Sequence, residues 1–304
     1  MMNKLLVSSS PHLRTPRATG NIMREVFAAL LPAAVCGCII HGFFHSFLLL
    51  FAAVASAMLA EAAAQRLLRR PITVKDGSAA LCGLLLGMNM PPGVPLWMPV
   101  VGSVIAIVLV KQLFGGIGYN FMNPALAARA ALTVSWPAIM TAFPGVDAIA
   151  QATPLASPGK YSIWQLLLGT TGGSIGETCR ALLLLGAVFL IIRRVINWRI
   201  PVIYLLSYML FDRLFGNQEP ILHMVFSGGL ILGACFMATD YTTSPITGRG
   251  RVVYAAGCGL VTAALRVFGG SVEGVSFAIL IMNLLVPLIE RIPARKPFGG
   301  GAFG

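Results

Sequence analysis

Acidic side chains are nearly missing from this sequence: Asp and Glu together number 10 in 304 residues, and all charged residues make up 11%. A soluble domain carries more than twice that share of charge, so a soluble globular enzyme is excluded. Histidine is scarce too. His12, His41, His45 and His223 show no metal-ligand spacing, and no metal site is assigned. The cysteines, Cys36, Cys38, Cys82, Cys179, Cys235 and Cys258, form no C-x-x-C pair. Cys36 and Cys38 point in different directions on a helix. They read as small packing residues, and the alternative is an iron–sulfur site shared with a partner. No nucleophile–base pair, Walker loop or dinucleotide fingerprint occurs, so no catalytic residue is assigned and any chemistry is a cofactor's, held in place by protein. Residues 1–21 lack the apolar core and cleavage site of a signal peptide.

What the chain has is apolar sequence, 57% of it hydrophobic. The runs approach the roughly 18–20 residues that a bilayer requires, which predicts an all-α polytopic membrane protein. The formal charge of +12 does not point to nucleic acid, because the basic residues sit beside apolar runs. About ten segments stand out, over 23–42, 44–64, 78–91, 96–113, 121–141, 178–195, 199–215, 221–238, 252–268 and 274–291. The third is short and ends in Met90-Pro91-Pro92, as a half-helix or a tilted helix does. Residues 163–177, apolar and then Gly-rich, read as an interfacial or re-entrant piece.

Lys and Arg alternate with the segments. They gather at the N-terminus, at Arg66–Lys75, at Lys111, at Arg193–Arg199, at Arg249–Arg251 and at the C-terminus, while the intervening loops are nearly bare. The positive-inside rule then puts both termini in the cytoplasm and the central loop outside. The halves also echo one another. Residues 75–93 share a small-residue pattern with 226–245, and Lys111–Gly116 matches Arg266–Gly270, each at an offset of about 150 residues. An odd number of spans per half predicts two inverted five-helix repeats with a site at their interface. The expected organisation is a cytoplasmic segment (1–22), a first repeat (23–144), an extracytoplasmic loop with an interfacial segment (145–177), a second repeat (178–292) and a cytoplasmic tail (293–304).

Three polar clusters interrupt the apolar runs: Lys75-Asp76-Gly77-Ser78, the stretch from Gly115 to Ala125, and the stretch from Met237 to Pro245. Asn120 and Asn123 share a helix face. Their carboxamides suit the mixed edge of a flavin or quinone, and helix capping is the plainer reading. Asp76 and Asp240 read as a cation or proton path, or as caps and salt bridges. Arg66 is the expected partner of Glu61, and Arg180 that of Glu177. In the central break, Gly145–Lys160, Pro154 restricts Thr153 to extended backbone with its hydroxyl free to react.

The sequences GGIGYNFMNPA, DAIAQATPLA, GTTGGSIGET and FMATDYTTSPITGRG, in that order, resemble the family that comprises the D subunit of the Rnf electron transport complex and the B subunit of the Na+-translocating NADH:quinone reductase. The likeness runs from about residue 22 to 292, and the short N-terminus is more like the Rnf protein. The resemblance implies a bacterial inner-membrane subunit that carries FMN as a phosphoester on threonine. In the family's D-x-x-S/T-G-A-T pattern, Asp147, Ala152 and Thr153 match, whereas Ala150 and Gln151 replace the hydroxyl residue and the glycine. It also implies a noncovalent riboflavin at Asn120 and Asn123, a flavin transferase in maturation, and partner subunits that bind ferredoxin and NAD. The implied activity is electron transfer between ferredoxin and NAD coupled to Na+ or H+ translocation. Two other readings are a component like the B subunit of the quinone reductase and a flavin-free inverted-repeat channel or transporter.

Overall fold

The computed structural model describes residues 18–143, 155, 161–169, 171–269 and 274–291. Thr153 and its neighbours Asp147, Ala150, Gln151 and Ala152 lie outside the described residues, as do most of the two terminal segments. All regular structure in the described residues is helical. Helices α1 (Thr19–Ile40) and α2 (Phe43–Leu67) are long and apolar enough to cross a membrane, as is α12 (Gly248–Phe268). Each of the other apolar segments contains a shorter helix or a pair of them.

In α2 the reason for packing is written at helical spacing. Ser46, Leu49, Ala53, Ala57, Ala60 and Ala64 form a buried small-residue stripe, the kind of face that lets helix backbones approach in lipid. A neighbouring face is bulky: Phe43, Phe47 and Phe51 are exposed and stacked at 5.8 and 6.3 Å between centroids. Helix α3 (Ser78–Met88) has 11 residues, a length of about 16 Å, or half a bilayer core. It is a half-helix, as Asn89 and the prolines after it require. Helix α4 (Trp97–Val104) continues into π-helical turns over Ile105–Gln112. Helices α5 (Pro124–Ser135) and α6 (Pro137–Met140) are separated at Trp136, because Pro137 disfavours helical backbone in the residue before it.

Helix α7 (Ile163–Leu168) opens the Gly-rich stretch that precedes α8 (Arg180–Ile192). Between them, Ser174, Ile175 and Gly176 are buried, and Ile175 N–H donates to Met90 O at 3.2 Å. Gly37 of α1 lies so close to this loop that a Cβ there would sit 2.3 Å from Ile175 O.

Helix α9 (Arg199–Leu214) packs on α12, and α13 (Gly274–Ile289) packs on α12 from elsewhere. The apolar segment at 221–238 is interrupted. The segment divides into α10 (Ile221–Phe226) and α11 (Leu230–Leu232), which runs on into π-helical turns over Gly233–Met237. Ser227-Gly228-Gly229 forms the break, with Gly228 at φ +67°, a conformation that glycine adopts at no steric cost.

The contact between α9 and α12 is the tightest of these interfaces. A Cβ on Gly259 would fall 1.9 Å from Ser207 Oγ and 2.6 Å from Tyr208 N. Gly259→Val therefore forces these helices apart and is expected to cost about 1–3 kcal/mol. Thermal unfolding in detergent should show the loss, and an unchanged midpoint would contradict this packing.

Candidate functional site

The three polar clusters, up to about 165 residues apart in sequence, line one cavity of about 90 Å³. Ser78 and Lys111 line it together with Asn120, Asn123, Asp240 and Thr242; the remaining wall is mostly apolar, from α1, α3 and α8.

Local chemistry fixes each polar member. Asp76 Oδ1 accepts from Ser78 N–H at 2.8 Å and from Ser78 Oγ at 2.6 Å, so it caps the start of α3. Asp240 likewise turns its loop: its carboxylate accepts from Thr242 N–H at 3.3 Å, Thr242 Oγ1 at 2.8 Å and Thr243 Oγ1 at 3.3 Å. Of the two readings open for these aspartates, the capping contacts are present, and neither makes an ion pair among the described residues. Burial pushes the Asp240 carboxyl above the usual carboxylate range, against the lowering effect of Thr242, Thr243 and Lys111. Burial, with Asp240 and Asp76 nearby, also pushes the Tyr241 phenol up to about 12.

The two asparagines differ. Asn123 caps α5, its Oδ1 accepting from Ala125 N–H at 3.1 Å and Leu126 N–H at 3.3 Å, while Nδ2 donates to Met237 O at 3.3 Å. Its carbonyl is taken up by the cap, and its amino group joins α5 to the end of the α11 segment. Asn120 Nδ2 donates to Thr242 Oγ1 at 3.1 Å and Met122 O at 3.3 Å, and its Oδ1 has no partner among the described residues. Asn120 is therefore the carboxamide with acceptor capacity left for a ligand, and Asn123 is the one that holds the wall.

The polar set suits a flavin edge, with the Asn120 oxygen, threonine hydroxyls and the Lys111 ammonium at hand. The space is tighter than the chemistry. A cavity that admits benzene measures about 150 Å³, so a three-ring flavin enters only if the loops at 113–122 and 238–245 move apart.

Beside this cavity lies a buried charge cluster with a composition the sequence did not reveal. Lys111 Nζ contacts Glu61 Oε1 at 2.6 Å and donates to Ser78 Oγ, and Gln112 Nε2 reaches the same Glu61 oxygen at 2.8 Å. The expected partner Arg66 is thus replaced by a residue 50 positions away; Arg66 lies on the exposed face of α2 and Glu61 on the buried one. A second cluster stands at the start of α11. Arg266 donates to Tyr208 Oη at 3.0 Å, Met224 O at 2.9 Å and Ser227 O at 3.1 Å, and Tyr208 Oη donates to Asp212 Oδ1 at 3.4 Å. Arg129, on the buried face of α5, donates to Asn89 Oδ1. Glu177 and Arg180 interact electrostatically but form no ion pair; Arg180 instead donates to Leu166 O at 2.6 Å. The signal for all of these was present as charge inside apolar sequence, which must find a partner within the protein.

Five of the six cysteines are buried and all are free, and Cys36 and Cys179 form a side-chain contact. No group of three or more His, Cys, Asp or Glu side chains converges as a metal site among the described residues. Leu155, two positions beyond Thr153, packs against the apolar core.

A family model described as the NQR2, RnfD, RnfE family matches residues 6–299. The chain is 48% identical to the D subunit of the Na(+)-translocating ferredoxin:NAD(+) oxidoreductase complex of Acetobacterium woodii, over 97% of this chain and 95% of that one. It is 40% identical to the D subunit of the proton-translocating ferredoxin:NAD(+) oxidoreductase complex of Clostridium ljungdahlii, over 98% and 97% of the two chains. It is also 38% identical to the D subunit of the ion-translocating oxidoreductase complex of Stutzerimonas stutzeri, over 93% of each.

Proposed function

Because the chain belongs to the NQR2, RnfD, RnfE family, we propose that it is the flavin-bearing membrane subunit of an ion-translocating ferredoxin:NAD+ oxidoreductase complex. In this reading it passes electrons within the complex while Na+ or H+ is moved, and other subunits bind ferredoxin and NAD+. The carrying observation is the shared cavity: Ser78, Lys111 and Asn120 come from the first half of the chain, Thr239, Asp240 and Thr242 from the second. A site walled by both halves is what an inverted-repeat protein is built to make.

Ten spans in two inverted repeats account for the paired charge clusters. Glu61, Ser78 and Lys111 stand to one half as Asp212, Ser227 and Arg266 stand to the other, at an offset of about 150 residues. Each trio gathers where a short core helix begins after a break. Both termini are then cytoplasmic, and the loop with Thr153 is outside.

A flavin supplies the electron-transfer chemistry when bound. The protein's part is to hold it: Thr153 as the hydroxyl that takes FMN from a flavin transferase, and Asn120 as the carboxamide for a noncovalent riboflavin, in a wall held by Asn123. The ferredoxin-linked reading is preferred over the quinone reductase because the relatives at 48% and 40% identity carry ferredoxin:NAD(+) names.

The test is ultraviolet fluorescence of the denatured chain in a gel, wild type beside Thr153→Ala, both made with a flavin transferase. Fluorescence in the wild type alone is expected. If both bands are dark, the covalent flavin falls and the flavin-free transporter reading rises; if both fluoresce, the hydroxyl is another. Asn120→Leu should separately reduce noncovalent flavin, read as yellow colour released on denaturation, by roughly tenfold, the value of one lost hydrogen bond in a buried site.

A further inference from the structure

A second cavity, of about 400 Å³, adjoins the first and shares Val195, Ile196, Thr239 and Tyr241 with it. It is lined by Arg194, Asn197 and Trp198 on the α8–α9 side and by Tyr241, Ser244 and Arg251 on the side leading into α12. No acidic side chain lines it. The adjacent Arg193 is neutralised by Glu25 at 2.8 Å. Arg194, by contrast, has no side-chain hydrogen bond or ion pair among the described residues. Arg251 is oriented by one bond, Nε to Pro245 O at 3.0 Å. The nearby Glu290 forms no ion pair with Arg251 among the described residues; its Oε1 accepts from the N–H groups of Ile246 and Thr247 at 2.7 and 3.1 Å.

Arg194 also stands where glycine is the cheaper residue. Its N–H donates to Ile191 O and that of Val195 to Leu190 O, the pattern that closes a helix through a left-handed residue, and Arg194 has φ +56°. At the end of α9 the same place is held by Gly216. Above Arg194, Leu185, Val188 and Ile192 form an exposed apolar track along α8. Trp198, exposed at the mouth, is the residue type that settles at the level of lipid headgroups.

We propose that this chamber binds the phosphate of an anionic phospholipid, with Arg194 and Arg251 on the phosphate, Asn197 and Ser244 as neutral donors, and the acyl chains along α8. Basic pockets between membrane helices take such headgroups, and paired guanidiniums match phosphate oxygens in geometry as well as charge. A bound lipid would also brace the 239–246 loop that walls the first cavity.

Native mass spectrometry of the full-length chain in detergent, repeated on the assembled complex, tests this. Delipidated protein is titrated with cardiolipin, phosphatidylglycerol or phosphatidylcholine, with and without inorganic phosphate. The two anionic lipids should bind and phosphatidylcholine should not. Arg194→Gln/Arg251→Gln should weaken the anionic lipids roughly thirtyfold, two arginines' worth of attraction. Arg69→Gln serves as control, since Arg69 shares the left-handed conformation but lies outside the cavity. Displacement by inorganic phosphate would assign the same site to free phosphate. Ser244→Asp, which adds a repelling charge while leaving both arginines, should weaken binding as well. Equal anionic-lipid binding by wild type and the double-glutamine variant, with both eluting as folded protein, would overturn the proposal.

Discussion

Lys111→Met is expected to destabilise the protein by about 3–5 kcal/mol, because it leaves the Glu61 carboxylate buried without its cation. Glu61 is 1% exposed and would keep a single bond, from Gln112. Ser78, at the start of α3, would lose the ammonium that donates to its hydroxyl. The effect belongs to the broken pair and not to the pair as such, so Glu61→Gln/Lys111→Met should recover most of the loss, as uncharged replacements of buried pairs do. Thermal unfolding of the three proteins in one detergent decides the matter. A single variant that melts with the wild type would mean that Glu61 finds another partner or water.

Arg266→Met should cost as much, again about 3–5 kcal/mol, for a different sum of reasons. The guanidinium serves the backbone carbonyls of Met224, in α10, and of Ser227, the first residue of the break between α10 and α11. It also lies 5.0 Å above the Tyr208 ring and bonds that hydroxyl, which in turn reaches Asp212. Deleting it leaves two carbonyls without their donor. Arg213→Met is the control: Arg213 is exposed, and its bond to Asn217 O closes a surface turn. Matched losses at Lys111 and Arg266, with none at Arg213, would agree with the two clusters being counterparts in repeated halves.

The helices were legible because apolar length and helix punctuation are local properties. Met90-Pro91-Pro92 ended a half-helix, and Asn123 with Pro124 opened α5, as capping chemistry predicts. The break at Ser227-Gly228-Gly229 was less legible, since isolated glycines inside an apolar run are also tolerated in unbroken membrane helices. The polar clusters were visible, but not that they would meet. Nothing local in Lys75–Ser78 and Met237–Pro245 indicates a common cavity; that depends on how two distant halves pack. Glu61 illustrates the limit most simply. Sequence proximity favoured Arg66, whereas the partner is fixed by which face of α2 is buried, and that face looks toward Lys111. Asn123 was read as cap or ligand and serves as a cap, while Thr153 lies outside the described residues.

The π-helical turns at Ile105–Gln112 and Gly233–Met237 carry a mechanical consequence. A wide turn contains a residue more than α-helical winding needs over the same stretch. That surplus is slack: one more α-type bond at one end, traded for one fewer at the other, slides the wide turn along without unfolding the helix. Each such step swings the side chains it passes by about 100°. Lys111 lies within the first turn, and Met237, whose carbonyl holds Asn123, closes the second. The slack in both helices therefore lies in the wall of the cavity, where a shift of a single residue would re-aim it.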